Sequence, residues 1–291
     1  MFFTIQMRHK KTIAALVLVL LLLITSMVGL PAVATGGELE DGIRVPIIMY
    51  HAILKEESRQ STYVISPQLL ENDLKYLTEN GYTSIVVQDL IDYVDNGTPL
   101  PEKPIMLTFD DGYYNNYLYA YPLMQKYGMK MVLSPIGYAT DQYTETGERH
   151  ELYSHVTWNN IKEMIQSGAV EIQNHSYSLH GDQKSSRLGA KKKKGESAEQ
   201  YASMLKQDLN KMQSEFKEKA EWTPTAFFYP FGIVSKESLP VVRELGFRAS
   251  FTCEERMNYV TRDPESLYLM GRYLRPHKTD SASYFKSRLQ D

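Results

Sequence analysis

The sequence has too few cysteines for a disulfide-stabilised fold or for a metal site built from thiolates. Its 291 residues include one cysteine, Cys253, so neither an intrachain disulfide nor a site with several thiolate ligands can form. A lone cysteine usually packs as a small buried apolar side chain, and we favour that interpretation for Cys253 over a catalytic one. Any strong metal site must therefore be built from histidines and carboxylates.

An excess of charge of one sign is also missing. The 32 Lys and Arg residues nearly balance the 35 Asp and Glu residues, which leaves a formal net charge of −3. Nucleic-acid binding through the phosphate backbone needs a basic excess, so we expect no nucleic-acid partner. With 43% hydrophobic and 23% charged residues, the composition is that of a globular chain long enough for a sizeable core.

The N-terminal segment has the order of an export signal. Three cations precede an uncharged apolar run over residues 12–30, and Ala32-Val33-Ala34 follows it. We predict a signal peptide over residues 1–34, which makes the protein exported and changes the net charge to −6. The run approaches the roughly 20 residues of a membrane span, so an uncleaved anchor on the outer face of the membrane is the alternative. Residues 35–44 then form a linker and residues 45–291 one domain.

From Val45 onward, apolar strand-like runs alternate with helical stretches, which is typical of a parallel α/β fold. The predicted strands are 45–50, 82–86, 105–109, 129–134, 170–173, 225–229 and 248–252. The predicted longer helices are 67–79, 115–126, 157–166, 197–217 and 236–245. About seven β/α units fit the chain, which favours a barrel related to the (β/α)8 type over an open sheet.

Catalytic groups of such barrels lie where strands end, so polar residues directly after predicted strands are the candidates. Four clusters meet this condition: Tyr50-His51, Asp110-Asp111-Gly112, Asn174 to His180, and Pro230-Phe231-Gly232.

Asp110 and Asp111 would repel each other unless a cation or hydrogen bonds separate their roles, although Asp-Asp-Gly is also ordinary turn sequence. His175 and His180 are five residues apart, so a regular helix or strand would point them in different directions. They can share one metal only if the chain after Asn174 is irregular, and otherwise they are surface histidines. One carboxylate and two imidazoles would suit zinc and other first-row divalent metals.

Two segments in this order carry a family resemblance. Thr108-Phe109-Asp110-Asp111-Gly112-Tyr113, followed by His175-Ser176-Tyr177-Ser178-Leu179-His180, resembles the polysaccharide deacetylase family, the carbohydrate esterases with a NodB-homology domain. The similarity covers roughly residues 45–275. It implies a distorted (β/α)7 barrel that uses a divalent cation, zinc first and cobalt or nickel as alternatives, to remove acetyl groups from N-acetylated sugar polymers.

The resemblance also implies roles for individual residues. Asp110 would be the general base, and Asp111, His175 and His180 would be the metal ligands. The histidine spacing of five resembles the poly-N-acetylglucosamine deacetylases of biofilm matrices, whereas many family members have a spacing of four.

The segment Tyr229-Pro230-Phe231-Gly232 takes the place of the third family motif, so Phe231 would lend its backbone N–H to the oxyanion. Tyr113 and Tyr229 would contact the sugar. The arginine that commonly opens this motif and tethers the base is missing, because Ala226-Phe227-Phe228 stands there. Arg272 is the candidate substitute.

The late histidine motif that supplies the usual general acid of the family is also missing. His51 ends the first predicted strand, in a Met-Tyr-His segment similar to that of the biofilm-type deacetylases, and we predict it as the general acid. A hydrogen-bonded structural histidine is the alternative for His51. His277 is the competing candidate, and His150 and His155 could line the groove.

Residues 181–196 include Lys191-Lys192-Lys193-Lys194 and are typical of a solvated surface loop. Contact with an anionic polymer is the sharper alternative for these lysines.

The function expected from the sequence is metal-dependent N-deacetylation of an extracellular polysaccharide that contains N-acetylglucosamine. Poly-N-acetylglucosamine, peptidoglycan and chitin-like polymers all remain open, and no protein partner is implied. A non-catalytic glycan-binding barrel and an O-deacetylase of acetylated xylan are the alternatives. A glycosidase fits less well, because adjacent carboxylates cannot flank one bond from opposite sides.

Overall fold

The computed structural model describes residues 42–181 and 187–289. The predicted signal peptide and most of the predicted linker lie outside this part of the chain and stay predictions. Within residues 42–181 and 187–289, no helix is both long and apolar enough to cross a membrane.

Twelve strands occur in the described residues: β1 Ile43–Val45, β2 Ile47–Tyr50, β3 Ala52–Ile53, β4 Val64–Ile65, β5 Thr83–Ile85, β6 Pro104–Asp111, β7 Met131–Pro135, β8 Val170–Ile172, β9 Ala226–Phe228, β10 Ala249–Phe251, β11 Asn258–Val260 and β12 Tyr273–Leu274. The α-helices of the same residues are α1 Pro67–Glu79, α2 Val87–Asn96, α3 Tyr121–Tyr127, α4 Gly137–Thr146, α5 Trp158–Gln166, α6 Ala198–Ala220, α7 Ser238–Glu244 and α8 Ser281–Leu289. A π-helical turn over Asn116–Ala120 leads into α3.

Seven parallel strands form the ring of the barrel. Strands β12, β2, β6, β7 and β8 are hydrogen-bonded in that order, and β9 pairs with β10 in a separate ladder. Single parallel bridges, Asn174 to Phe227 and Phe251 to Met270, connect this ladder to the longer sheet on both sides. A ring closed by single bridges rather than full ladders is a distorted barrel, so the predicted (β/α)7 fold is confirmed.

Local sequence explains where several helices begin. Ser66 Oγ accepts a hydrogen bond from Leu69 N at 3.0 Å, and Pro67 occupies the first turn of α1. Thr157 and Ser197 cap α5 and α6 in the same way. The predicted helices 67–79, 157–166, 197–217 and 236–245 correspond to α1, α5, α6 and α7, with ends that differ by at most three residues.

The first predicted strand was wrong in one respect, because residues 45–50 do not form one continuous element. Pro46 interrupts the run, since proline has no N–H for a ladder. As a result β1 pairs antiparallel with β11, whereas β2 enters the barrel beside β6. The sequence analysis also missed α4, α8 and the ring strand β12. The predicted strand 82–86 forms β5, which pairs with β6 outside the seven-strand ring.

The central strand β6 is buried along its whole length. Leu107 and Phe109 belong to one apolar cluster and Met106 to another, as expected for a parallel strand covered on both faces. The Phe109 ring stacks on Tyr50 of the neighbouring strand with centroids 4.8 Å apart. This packing fixes the strand ends at which His51, Asp110 and Asp111 stand.

Candidate active site

The two aspartates are the last residues of β6, and both are almost fully buried. Asp111 has a left-handed backbone with φ of 70°, and Gly112 follows with φ of 71°. A Cβ at Gly112 would lie 2.5 Å from Pro135 Cβ, so only glycine fits this turn without displacing β7. The strained turn directs the Asp110 and Asp111 carboxylates to different partners.

Asp110 is held by Arg272. Arg272 Nη1 and Nη2 each donate to one carboxylate oxygen of Asp110 at 2.7 Å, and Ser134 Oγ donates to Asp110 Oδ1 at 3.0 Å. Thr252 O accepts from Arg272 Nε at 2.8 Å, which orients the guanidinium. Burial alone would raise the pKa of Asp110, but the Arg272 charge and nearby His175 lower it to about 2. Asp110 is therefore ionised at neutral pH.

Asp111 lies beside both candidate histidine ligands. Its Oδ1 is 3.1 Å from His180 Nε2 and 3.4 Å from His175 Nε2, and the ligand atoms of the three residues all lie within 4.8 Å of one another. His175 Nδ1 is 2.9 Å from Phe228 O. A hydrogen bond from Nδ1 to this carbonyl leaves the Nε2 lone pair facing Asp111, as in histidines that bind metals.

These residues fit a divalent cation. Asp111 Oδ1 is buried and has no hydrogen-bond partner among the described residues, an arrangement that a bound cation would satisfy. Burial would raise the pKa of Asp111, yet the two histidines hold it well below its usual value. A carboxylate with two imidazoles and open positions suits the metals considered above.

The loop between the histidines is irregular, which brings two residues five positions apart to one point. Asn174 Oδ1 accepts from Ser176 N at 2.8 Å, and Ser176 has φ of 72°. Asp208 on α6 accepts from Tyr177 N at 2.8 Å, from Ser178 N at 2.9 Å and from Ser178 Oγ at 2.8 Å. Asp208 thus anchors the middle of the loop while its two ends carry His175 and His180.

The sequence analysis missed Asp208, although a signal was present. Asp208 shares a helix face with Leu205, Leu209 and Met212, all buried. A carboxylate within an apolar stripe is costly unless the fold supplies hydrogen-bond donors, so its position already indicated a buried partner.

A pocket of about 420 Å³ opens onto these groups. The predicted site residues that line it are His51, Asp110, Asp111, Tyr113, His175, His180 and Phe231. The Phe231 ring packs on His180 with centroids 4.3 Å apart, and Phe231 itself has a left-handed backbone with φ of 57°. The structure therefore brings together residues from β2, β6, the histidine loop and the turn after β9.

His51 stands in this pocket close to both aspartates. Burial lowers the pKa of His51, although Asp110 and Asp111 act in the opposite direction. Its Nδ1 is buried without a hydrogen-bond partner in the part of the chain that the structure describes. In the free protein His51 is therefore a neutral imidazole at neutral pH.

The other candidate histidines lie elsewhere. His277 borders a separate surface cavity beside Gln60 and Lys278, and His150 stacks on Tyr153. His155 packs against Tyr113 with ring centroids 4.9 Å apart, and burial lowers its pKa to about 4. Of the four histidines considered outside the metal cluster, His51 is the one that lines the described pocket.

Two expectations are corrected by the structure. Tyr229 was expected to contact the sugar, but its side chain is fully buried and its OH contacts Ser238 Oγ at 3.0 Å. Because β9 ends at Phe228, the next side chain turns toward α7 and the core. Cys253 was expected to be a small buried apolar side chain, but it is only partly buried and lines the pocket, 3.7 Å from Arg272 Nη2.

The lysine run lies in the loop before α6. Lys191, Lys193 and Lys194 are exposed, and Lys192 Nζ is 3.7 Å from Glu237. The loop packs next to the Phe231 turn, since Lys192 N donates to Ser235 Oγ at 2.9 Å. Both interpretations of the lysines, a solvated loop and a contact for an anionic polymer, stay open.

Comparison with known proteins identifies the family. The sequence profile described as polysaccharide deacetylase matches residues 97–250, more than half of the chain. This chain belongs to the polysaccharide deacetylase family. The predicted enzyme class, a polysaccharide deacetylase, is thereby confirmed at the level of the family.

Individual relatives are about a quarter identical to this polysaccharide deacetylase over the aligned residues. A poly-beta-1,6-N-acetyl-D-glucosamine N-deacetylase of Escherichia coli O157:H7 is 26% identical over 71% of this chain and 33% of its own length. The enzyme of the same name from Staphylococcus aureus strain MSSA476 is 25% identical over 71% of this chain and 66% of its own length. The chain thus spans about a third of the first relative and just under two thirds of the second.

A solved structure supports the same fold. The de-N-acetylase from Aggregatibacter actinomycetemcomitans superposes with a TM-score of 0.71 at 26% identity, covering 84% of this chain and 100% of that one.

Proposed function

We propose that this deacetylase removes N-acetyl groups from an extracellular β-1,6-linked N-acetylglucosamine polymer. The observation that carries the proposal is the placement of Asp111, His175 and His180 around one point beside the ionised Asp110, at the floor of the 420 Å³ pocket. The names of the E. coli and S. aureus relatives support this polymer as the substrate. The export signal predicted over residues 1–34 would bring the enzyme to such a polymer.

Asp111, His175 and His180 would hold the metal, for which zinc is the first expectation. A bound divalent cation supplies Lewis acidity, which lowers the pKa of water from about 15.7 to about 7 and polarises the acetyl carbonyl. Asp110 is a weak base because its pKa is about 2, so it depends on that acidification of the water.

The chain's own groups would complete the hydrolysis. Asp110, fixed by Arg272, takes a proton from the attacking water as the oxygen bonds to the acetyl carbon. The Phe231 backbone N–H is the proposed protein donor to the oxyanion. His51 passes a proton to the sugar nitrogen as the carbon–nitrogen bond breaks, and acetate and a glucosamine unit leave. Because His51 is neutral in the free protein, the proton that Asp110 takes from the water must pass to His51 before His51 delivers a proton to the sugar nitrogen.

Arg272 bears on the alternative of a non-catalytic glycan-binding barrel. That alternative was motivated by the missing arginine of the third motif and by the missing late histidine. Arg272, directly before β12, supplies a bidentate partner to Asp110. The geometry therefore favours an enzyme over a binding module.

Acetate release tests the proposed function. The full chain, loaded with zinc, should release acetate from β-1,6-linked N-acetylglucosamine oligomers, and chelation or Asp111→Ala should abolish the release. Parallel assays on chitin oligomers, peptidoglycan and acetylated xylan identify the substrate. Release that survives both chelation and Asp111→Ala would refute the metal site, and faster release from xylan would refute the N-deacetylase.

A further inference from the structure

An exposed aromatic side chain stands beside His51, and none of the roles above uses it. Tyr63 lines the same pocket as Asp110 and Asp111. Its ring centroid is 5.0 Å from that of His51, with the ring planes at 71°. Tyr63 is 55% exposed, the highest value among the exposed large apolar side chains of the described residues. A large apolar surface left in solvent at a pocket is typical of a ligand contact.

The backbone that carries Tyr63 is fixed in place. Ser61 N donates to Val64 O at 2.9 Å and Val64 N to Ser61 O at 3.2 Å, so Thr62 and Tyr63 form the tip of a tight turn. Ala52 N donates to Tyr63 O at 3.1 Å, which ties the turn to the residue after His51. The ring is thus held ready at the pocket, and little order would have to be gained when a ligand binds.

A second exposed aromatic side chain, Phe231, lines the same pocket beside His180. Phe231 is 43% exposed and packs on His180, as Tyr63 packs on His51. The Asp110 and Asp111 carboxylates line the same pocket. A pyranose ring has apolar C–H faces and polar edges, so it matches a pocket that offers both exposed aromatic rings and carboxylates better than a fully polar ligand does.

We propose that Tyr63 binds a pyranose ring of the acetylated glycan by packing its aromatic ring against the C–H face of the sugar. This inference rests on the proposed function for the identity of the glycan. It makes Tyr63 a substrate-binding residue beside His51, in the pocket that Phe231 also lines.

Binding without turnover tests the proposal. The full chain, loaded with zinc and carrying Asp110→Asn, is titrated calorimetrically with a β-1,6-linked N-acetylglucosamine pentamer. Adding Tyr63→Ala should raise Kd about tenfold, the effect of losing about 1.4 kcal/mol. Tyr63→Phe keeps the ring and should stay within about twofold of the parent.

Tyr259→Ala is the matched control. Tyr259 is 45% exposed and lies on β11, which pairs with β1 before the chain enters the barrel, and it does not line the described active-site pocket. An unchanged Kd in Tyr63→Ala, an equal rise in Tyr259→Ala, or no binding of the pentamer by the parent would overturn the proposal.

Kinetics with an otherwise unchanged chain separate this inference from the proposed function. Tyr63→Ala should raise KM while kcat stays within about twofold. A large loss of kcat with unchanged Kd would mean that Tyr63 positions His51 and does not bind sugar. Binding that depends on Tyr63 in a protein that releases no acetate would refute the proposed function and leave this inference standing.

Discussion

Two buried bidentate arginine–aspartate pairs occur in this deacetylase; Arg272 uses its two Nη atoms, whereas Arg275 uses Nε and Nη2. Arg272 donates to both oxygens of Asp110 at 2.7 Å, and Arg275 donates to both oxygens of Asp73 at 2.8 Å. Both arginine side chains are fully buried, and both aspartates are at most 2% exposed. The arginines are three residues apart at β12.

The pairs differ in what surrounds them. Asp73 also accepts from Tyr50 OH at 3.1 Å, and Arg275 Nη1 donates to the carbonyls of Pro276 and Thr279. Protein groups therefore enclose this pair completely on the α1 side of the barrel. Asp110 faces the pocket and the histidines, where a substrate can reach it.

Proton affinity follows the surroundings. Burial raises the pKa of Asp73, and Arg275 only partly offsets this effect. For Asp110 the same burial is outweighed by Arg272 together with His175, and its pKa is about 2. The same kind of ion pair thus leaves the enclosed Asp73 with a raised pKa and keeps Asp110 ionised at the pocket.

The largest expected effect is on catalysis. Asp110→Asn removes the proposed base and should lower acetate release about 10³-fold, within the range that general bases contribute. Circular dichroism should show a folded protein. Asp73→Asn is the control, and its folded fraction should keep activity within about threefold of the parent. Equal losses of activity in both variants would show that Asp110, like Asp73, has only a structural role.

The second effect is on stability. Arg275→Met leaves the Asp73 carboxylate buried without its partner and should reduce the free energy of unfolding by about 3–5 kcal/mol in urea titrations. Combining it with Asp73→Leu should recover most of the loss, because an apolar pair carries no uncompensated charge. A double variant as unstable as the single one would contradict this account.

Part of this comparison could be predicted from the sequence. Asp110, Asp111, His175 and His180 were candidates because they follow predicted strands. Arg272 was the candidate partner of Asp110 because the arginine of the third family motif is missing. Asp73 lies in the apolar stripe of α1 with Leu70 and Leu74, which signals a buried carboxylate. Its partner, however, is 202 residues away, and no local pattern specifies a contact of that separation.

Side chains after short strands and in pattern-free loops were not predictable. Tyr229 and Phe231 both follow β9, yet Tyr229 is buried against Ser238 and Phe231 lines the pocket. Tertiary packing against α7 decides between them. Tyr63 lies in a polar stretch without periodicity, so its place beside His51 follows only from the backbone hydrogen bond to Ala52.

The third effect depends on pH. Because the folded pKa of Asp110 is below its unfolded value, the stability it contributes is present above about pH 4 and is lost as pH falls toward 2. The lowered pKa of Asp110 corresponds to about 2 kcal/mol of the free energy of unfolding in the metal-free protein. In Asp110→Asn, the free energy of unfolding measured in urea titrations should therefore fall less steeply as the pH is lowered. Asp73, whose pKa is raised, acts in the opposite direction, because the folded protein takes up its proton before the unfolded chain does as pH falls. Asp73→Asn should therefore make the acid loss of stability steeper than in the parent.

The smallest expected effect concerns the shape of the positively charged side chain that faces each aspartate. A lysine keeps the positive charge but cannot donate to both carboxylate oxygens in the fixed geometry of a guanidinium. Arg272→Lys should lower acetate release about tenfold, the effect of losing one charged hydrogen bond worth about 1.5 kcal/mol. Arg275→Lys should instead lower the free energy of unfolding by about the same amount and leave the activity of the folded protein unchanged. Full activity in Arg272→Lys would mean that Asp110 needs a nearby positive charge but no bidentate orientation, and the two pairs would then differ only in where they lie.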